Sequence, residues 1–78
     1  MVMNKFYLGI DPGRSKTGLA LVDGNGKIIS LRIADSQNIN NEILDFTKEN
    51  CPAQIVLGNG TNSRNICEAV QTVLPNIA

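Results

Sequence analysis

Residues 9–18, GIDPGRSKTG, place an aspartate at the tip of an apolar run, followed at once by a Pro-Gly turn and by Arg14, Ser15 and Lys16. Two kinds of chemistry suit Asp11 there. It can open an ordinary Asp-Pro-Gly turn by bonding its own backbone, or it can supply an oxygen ligand to Mg²⁺. Two-metal phosphoryl chemistry asks for more, namely several acidic ligands holding ions about 4 Å apart. A second stretch, GNGTNSR at 58–64, has a different logic. Gly58 and Gly60 let backbone amides turn outward, and a helix beginning just after them presents unpaired N–H groups, so an anion such as phosphate fits. Arg64, near the first helical turn, can clamp a phosphate with two hydrogen bonds or stand in solvent.

The elements that must position these residues follow from hydrophobic period. Phe6, Leu8 and Ile10 alternate with Tyr7, Gly9 and Asp11, which predicts a strand over 5–11. TGLALVD at 17–23 predicts a second, and Asp23-Gly24-Asn25-Gly26 supplies the positive-φ glycines of a tight hairpin leading into KIISLRI at 27–33. In that third strand Ile29, Leu31 and Ile33 share one face and Ser30 and Arg32 the other, as in an edge strand wetted on one side. Residues 38–50 change to a helical period carried by Ile39, Ile43, Leu44 and Phe46, with Pro52 as the stop. AQIVLG at 53–58 has three consecutive large apolar residues, as a central parallel strand covered on both faces would. A second helix over 62–74 buries Ile66, Ala69, Val70, Val73 and Leu74, ending at Pro75.

The expectation is therefore one α/β domain over 1–78, an antiparallel three-strand meander followed by helix, strand and helix. In open α/β sheets, ligands collect beyond the carboxyl ends of strands. If the fourth strand pairs parallel with the first, the two loops open side by side. Asp11, Gly13, Arg14, Lys16 and Thr17 then approach Gly58, Asn59, Gly60, Thr61, Ser63 and Arg64. The remaining acids fall elsewhere: Asp23 and Asp35 at connections, Glu42, Asp45, Glu49 and Glu68 on helix surfaces. A helix after a fourth strand usually returns the chain to another parallel strand, so the pattern reads as a domain truncated at its C-terminus.

A chain of 78 residues buries only roughly 60–65 % of its unfolded surface, so its stability should be modest. Lys plus Arg and Asp plus Glu both number 7, so any basic surface must be local. The sequence has no histidine, no secretory signal and no membrane-length apolar run, and Cys51 and Cys67 lack metal-ligand spacing. A cytoplasmic setting follows as the default. Both cysteines read as small packing residues, with a disulfide left open.

Taken together, LGIDPGRSKTGLALVDGNGKI and QIVLGNGTNSRNICEAV resemble the YqgF-like members of the RNase H-like superfamily, which also holds the RuvC-type Holliday junction resolvases. The pattern is most similar to the YqgF-like domain of Tex-type transcription accessory proteins, where a Gly-Asn-Gly-Thr turn is followed by Ser-Arg. The Asp-x-Gly hairpin alone is shared with actin-like ATPases; the two motifs in order are more specific and span nearly the whole chain.

The resemblance implies a sheet ordered 3-2-1-4-5, of which strands 3-2-1-4 are present here and the fifth strand and last helix are missing. Asp11 matches the family's first metal-binding and catalytic aspartate, and 58–64 its second loop. Catalytic relatives are Mg²⁺-dependent nucleases, resolvase-like enzymes or processors of the ribosomal RNA precursor, whose further acids lie in the missing elements. Tex-type domains are, by contrast, parts of an RNA-binding factor. The expectation is a nucleic-acid partner, a DNA junction or structured RNA, with little nuclease activity from these residues alone. Two other readings remain open at this stage, an actin-like ATPase lobe fragment and an interaction domain that forms a homodimer through an unpaired sheet edge.

Overall fold

The computed structural model describes residues 5–58 and 63–73. Strands β1 (Phe6–Asp11), β2 (Lys16–Asp23) and β3 (Ile28–Asp35) form the meander; a 3₁₀ turn (Ser36–Asn38) leads into helix α1 (Ile39–Thr47), strand β4 (Gln54–Leu57) and helix α2 (Ser63–Val73). The sheet is mixed, with order β3-β2-β1-β4. β1 pairs antiparallel with β2 and parallel with β4. Helix α1 must span the sheet between β3 and β4, which is why β4 runs in the direction of β1.

The β2–β3 hairpin closes through Asp23. Its carbonyl accepts from the Gly26 N–H at 3.0 Å, and its Oδ1 accepts from the Asn25 and Lys27 amides at 2.9 and 3.0 Å. Gly26 takes φ +85°, the left-handed position that ends such a loop, whereas Gly24 keeps an ordinary backbone. One of the two glycines is thus conformationally required, not both.

Both helices pack on one face of the sheet. Leu8, Ile10, Leu19 and Ala34 from the strands meet Ile39 and Ile43 of α1 and Ile66 and Val70 of α2, with Phe46, Ile55, Leu57 and Ala69 at the margin. The other face carries no element among the described residues, and this revises two expectations. β4 is an edge strand covered on one side, with Val56 62 % exposed. In β3 the wet face is the apolar one: Leu31 and Ile33 are 69 % and 73 % exposed, while Arg32 and Ser30 turn toward the helices. The register also slips, so that Val22 pairs with Ile28 rather than Ile29.

Arg32 explains the inversion. Its guanidinium stands 5.3 Å over the Phe46 ring and pairs with Glu42 at 3.3 Å and Asp45 at 2.9 Å, all on α1. A stacked and paired arginine can cover apolar surface that an aliphatic residue would otherwise fill. Helix α1 ends at Thr47, earlier than the apolar period implied, with the Thr47 hydroxyl bonded back to the Ile43 carbonyl at 2.8 Å. Cys51 is exposed rather than packed, Cys67 is half-buried, and both are free thiols. Val73 and Leu74 have side chains outside the described set. Among the described residues no helix is long and apolar enough to cross a membrane.

Candidate functional site

Asp11 is the last residue of β1, exposed, and set on the uncovered face because Leu8 and Ile10 take the alternate positions into the core. Opposite it in register is Gly18. A Cβ at Gly18 would sit 3.5 Å from that of Asp11, so the glycine keeps the space beside the carboxylate open. Gly18 escaped the sequence reading because its role depends on cross-strand register.

The exit of β4 lies against the same strand tip. The Gly58 N–H donates to the Ile10 carbonyl at 2.8 Å, and the site where a Gly58 Cβ would stand is 3.2 Å from that oxygen and 3.7 Å from Asp11 Cα. A side chain there would press on β1, so glycine lets the two strand ends close on each other. Asp11 and Gly58 therefore stand beside each other at the ends of β1 and β4.

The β1–β2 turn is fastened from below. Pro12 is buried, and Gly13 fits where a Cβ would collide with the Lys16 carbonyl oxygen. The Ser36 hydroxyl donates to the Gly13 carbonyl at 2.7 Å and lies 2.7 Å from Thr17 Oγ1, while the Ser36 amide donates to the Ser15 carbonyl at 3.0 Å. Thr17 is fully buried in this network. It supports the turn and does not face a ligand, contrary to its grouping with the phosphate contacts; Ser36, absent from that group, is its partner. Nothing local marks Ser36, since the two hydroxyls are 19 residues apart.

Arg14 is exposed on the turn, Lys16 at the start of β2, and Arg64 in the first turn of α2. Ser63 begins that helix, but its side chain, with Asn59, Gly60 and Thr61, lies outside the described residues. Around the β1 tip the structure thus has one carboxylate, Arg14 on the turn, Lys16 at the start of β2, and the Gly58 exit.

Among the described residues no group of three or more acidic, cysteine or histidine side chains is placed to hold a metal. The donor set does not fit a two-metal centre, which needs several carboxylates. A single Mg²⁺ asks less of the protein, and Asp11 is the residue that would hold it, since such ions are commonly bound through one or two carboxylates together with substrate phosphates. The other clustered charges serve the fold: Arg32 and Lys48 hold the Asp45 carboxyl below the ordinary value of 3.8, through hydrogen bonds to Arg32 first and Lys48 second.

Fold and site define an α/β protein whose mixed sheet is covered on one face among the described residues and whose parallel strands β1 and β4 end beside each other at Asp11 and Gly58. Comparison with protein-family models and with curated proteins finds no match to this chain.

Proposed function

We propose that the chain is an RNase H-like, YqgF-type module that engages the phosphates of a nucleic acid at the β1 and β4 tips, by binding rather than by cleavage. The observation that carries this reading is the Gly58 to Ile10 hydrogen bond, 2.8 Å, which joins the exit of β4 to the strand that ends in Asp11. The 3-2-1-4 order and the Asp-Pro-Gly and Gly-Asn-Gly-Thr motifs at those two tips support it. Arg14 and Lys16 supply charge to the backbone of the nucleic acid, Arg64 clamps a phosphate, and the loop amides after Gly58 accept an anion. Asp11 alone would repel phosphate. Asp11 is the residue that would hold a Mg²⁺ ion, which would supply the positive charge to offset that repulsion.

Fluorescence anisotropy with a structured RNA and a four-way DNA junction tests the reading, at several salt concentrations and with or without Mg²⁺. Binding should weaken with salt, and Arg14→Ala together with Arg64→Ala should reduce the slope of log affinity against log salt by about 2. Asp11→Ala should abolish the dependence on Mg²⁺. Absence of binding at low salt overturns the proposal. Mg²⁺-dependent cleavage lost in Asp11→Ala would replace it with a nuclease of resolvase type.

A further inference from the structure

The uncovered sheet face is a trough of about 600 Å³ whose floor is Gly9, Gly18 and Ala20 and whose sides are Leu31 and Ile33 on β3 and Val56 on β4. Most of the exposed large apolar side chains of the described chain lie on β3, beside a row of small residues on β2. The register sets them in pairs: Ala20 with Leu31, Gly18 with Ile33, Lys16 with Asp35. Each pair sets a small residue beside a large one or a base beside an acid. Lys16 and Asp35 point to the uncovered face, because their neighbours Thr17 and Ala34 are buried in the core. They form no ion pair with each other among those of the described residues.

We propose that this face is the docking surface for a second copy of the chain, packed sheet on sheet about a two-fold axis that runs along the strands between β2 and β3. Such an axis lays β3 of each copy over β2 of the other. Leu31 then descends on the second copy's Ala20, Ile33 on its Gly18, and Asp35 meets its Lys16, with every contact made twice. The surface is complementary to itself in shape and in charge, as an isologous interface must be. Aligned sheets pack at about 10 Å with a rotation of about 30°, a geometry in which ridges and troughs interlock. The register slip near the β2–β3 hairpin makes the pairing of β3 irregular, and an irregular strand is a poorer template for edge pairing. The overlap is centred on β2 and β3, and the trough it fills also reaches Asp11 and Gly58 at the strand tips. Lys16, assigned above to the backbone of a nucleic acid, is shared between the two surfaces, so a dimer formed this way competes with nucleic acid for that residue.

Sedimentation equilibrium of the whole chain over a wide concentration range tests it. The wild type should pass from monomer to dimer. Leu31→Lys should weaken the dimer at least about tenfold by burying an unpaired charge, with circular dichroism unchanged because Leu31 is exposed in the single chain. Lys16→Asp and Asp35→Lys should each weaken self-association about three- to tenfold, and an equimolar mixture of the two variants should recover it, since opposite charges then meet across the interface. A chain that stays monomeric at the highest concentration overturns the proposal. So does a dimer indifferent to Leu31→Lys, or one in which the mixture fails to recover association.

Discussion

Thr17 Oγ1 and Ser36 Oγ stand 2.7 Å apart in the core, and the bond between them has a direction. Ser36 has one hydroxyl proton and spends it on the Gly13 carbonyl, 2.7 Å away, so Thr17 is the donor to Ser36. The relay ties the turn after Asp11 to the segment that opens α1. The two variants that break it are consequently unequal. Ser36→Ala leaves the buried Thr17 hydroxyl without its acceptor and should cost about 1–3 kcal/mol, while Thr17→Val removes the donor to Ser36 and a long, 3.5 Å bond accepted from the Gly13 amide and should cost about 1 kcal/mol. Urea denaturation compares them; equal costs, or the reverse order, would mean that the direction is wrong.

Glycines at the two strand tips should respond differently to alanine. At Gly13 the added Cβ meets the Lys16 backbone carbonyl oxygen, which cannot rotate away. At Gly58 the nearest atom is the Ile10 carbonyl oxygen at 3.2 Å, a contact that a shift of a few tenths of an ångström relieves. Gly13→Ala should therefore destabilise by about 2 kcal/mol or more, and Gly58→Ala by about 1 kcal/mol or less, within the usual range for overpacking. Gly58→Ala should also weaken the β1–β4 pairing, seen as faster hydrogen exchange at the residue 58 amide than elsewhere in the sheet.

Acid should reveal the Arg32 cluster. Because Asp45 has a lowered carboxyl pKa, its stabilising effect is present above 3.8 and is lost as pH falls through the lower folded value. Arg32→Gln removes the principal cause of that lowering. Thermal melts at pH 6 should show the variant less stable than wild type, and the gap should narrow below 3.8. A gap that holds constant into acid would assign the loss to the stacking of Arg32 over Phe46 alone.

The sequence pattern disclosed the element order, the hairpin at Asp23, the helix faces built on Ile43 and Ile66, and the juxtaposition of the two strand tips once β4 pairs with β1. These are local periodicities and turn residues, each readable within a few positions. What it could not disclose was the coverage of the sheet. Ile55, Val56 and Leu57 satisfy the pattern of a two-sided strand, yet a helix on one side suffices to bury Ile55 and Leu57 in part while Val56 faces out. The alternation in β3 fixes which residues share a face but not which face meets the helices. That choice rests on Arg32 finding Phe46, Glu42 and Asp45, partners 10 to 14 positions away that only the packed helix supplies. At the site, the pairing of Gly18 with Asp11 and of Ser36 with Thr17 depends on partners brought together by the fold, so neither residue, nor the burial of Thr17, was legible in local pattern.

The inverted face makes a sharp contrast between two leucines of the same sheet. Leu21 on β2 is 1 % exposed beneath the helices, whereas Leu31 on β3 is 69 % exposed on the open side. Hydrophobicity and strand position alone would rank them together. Leu21→Ala should cost about 2–5 kcal/mol, the range for emptying a packed core site, which for a chain of this size approaches the whole of its stability. Leu31→Ala, measured at concentrations low enough to keep the chain monomeric, should fall within about 0.5 kcal/mol of wild type, as exposed substitutions do. At higher concentration the same variant should lose stability relative to wild type, because the dimer adds a concentration-dependent term that Leu31 supports. A large loss at high dilution would mean that something within the single chain covers Leu31, and the open face would have to be redrawn.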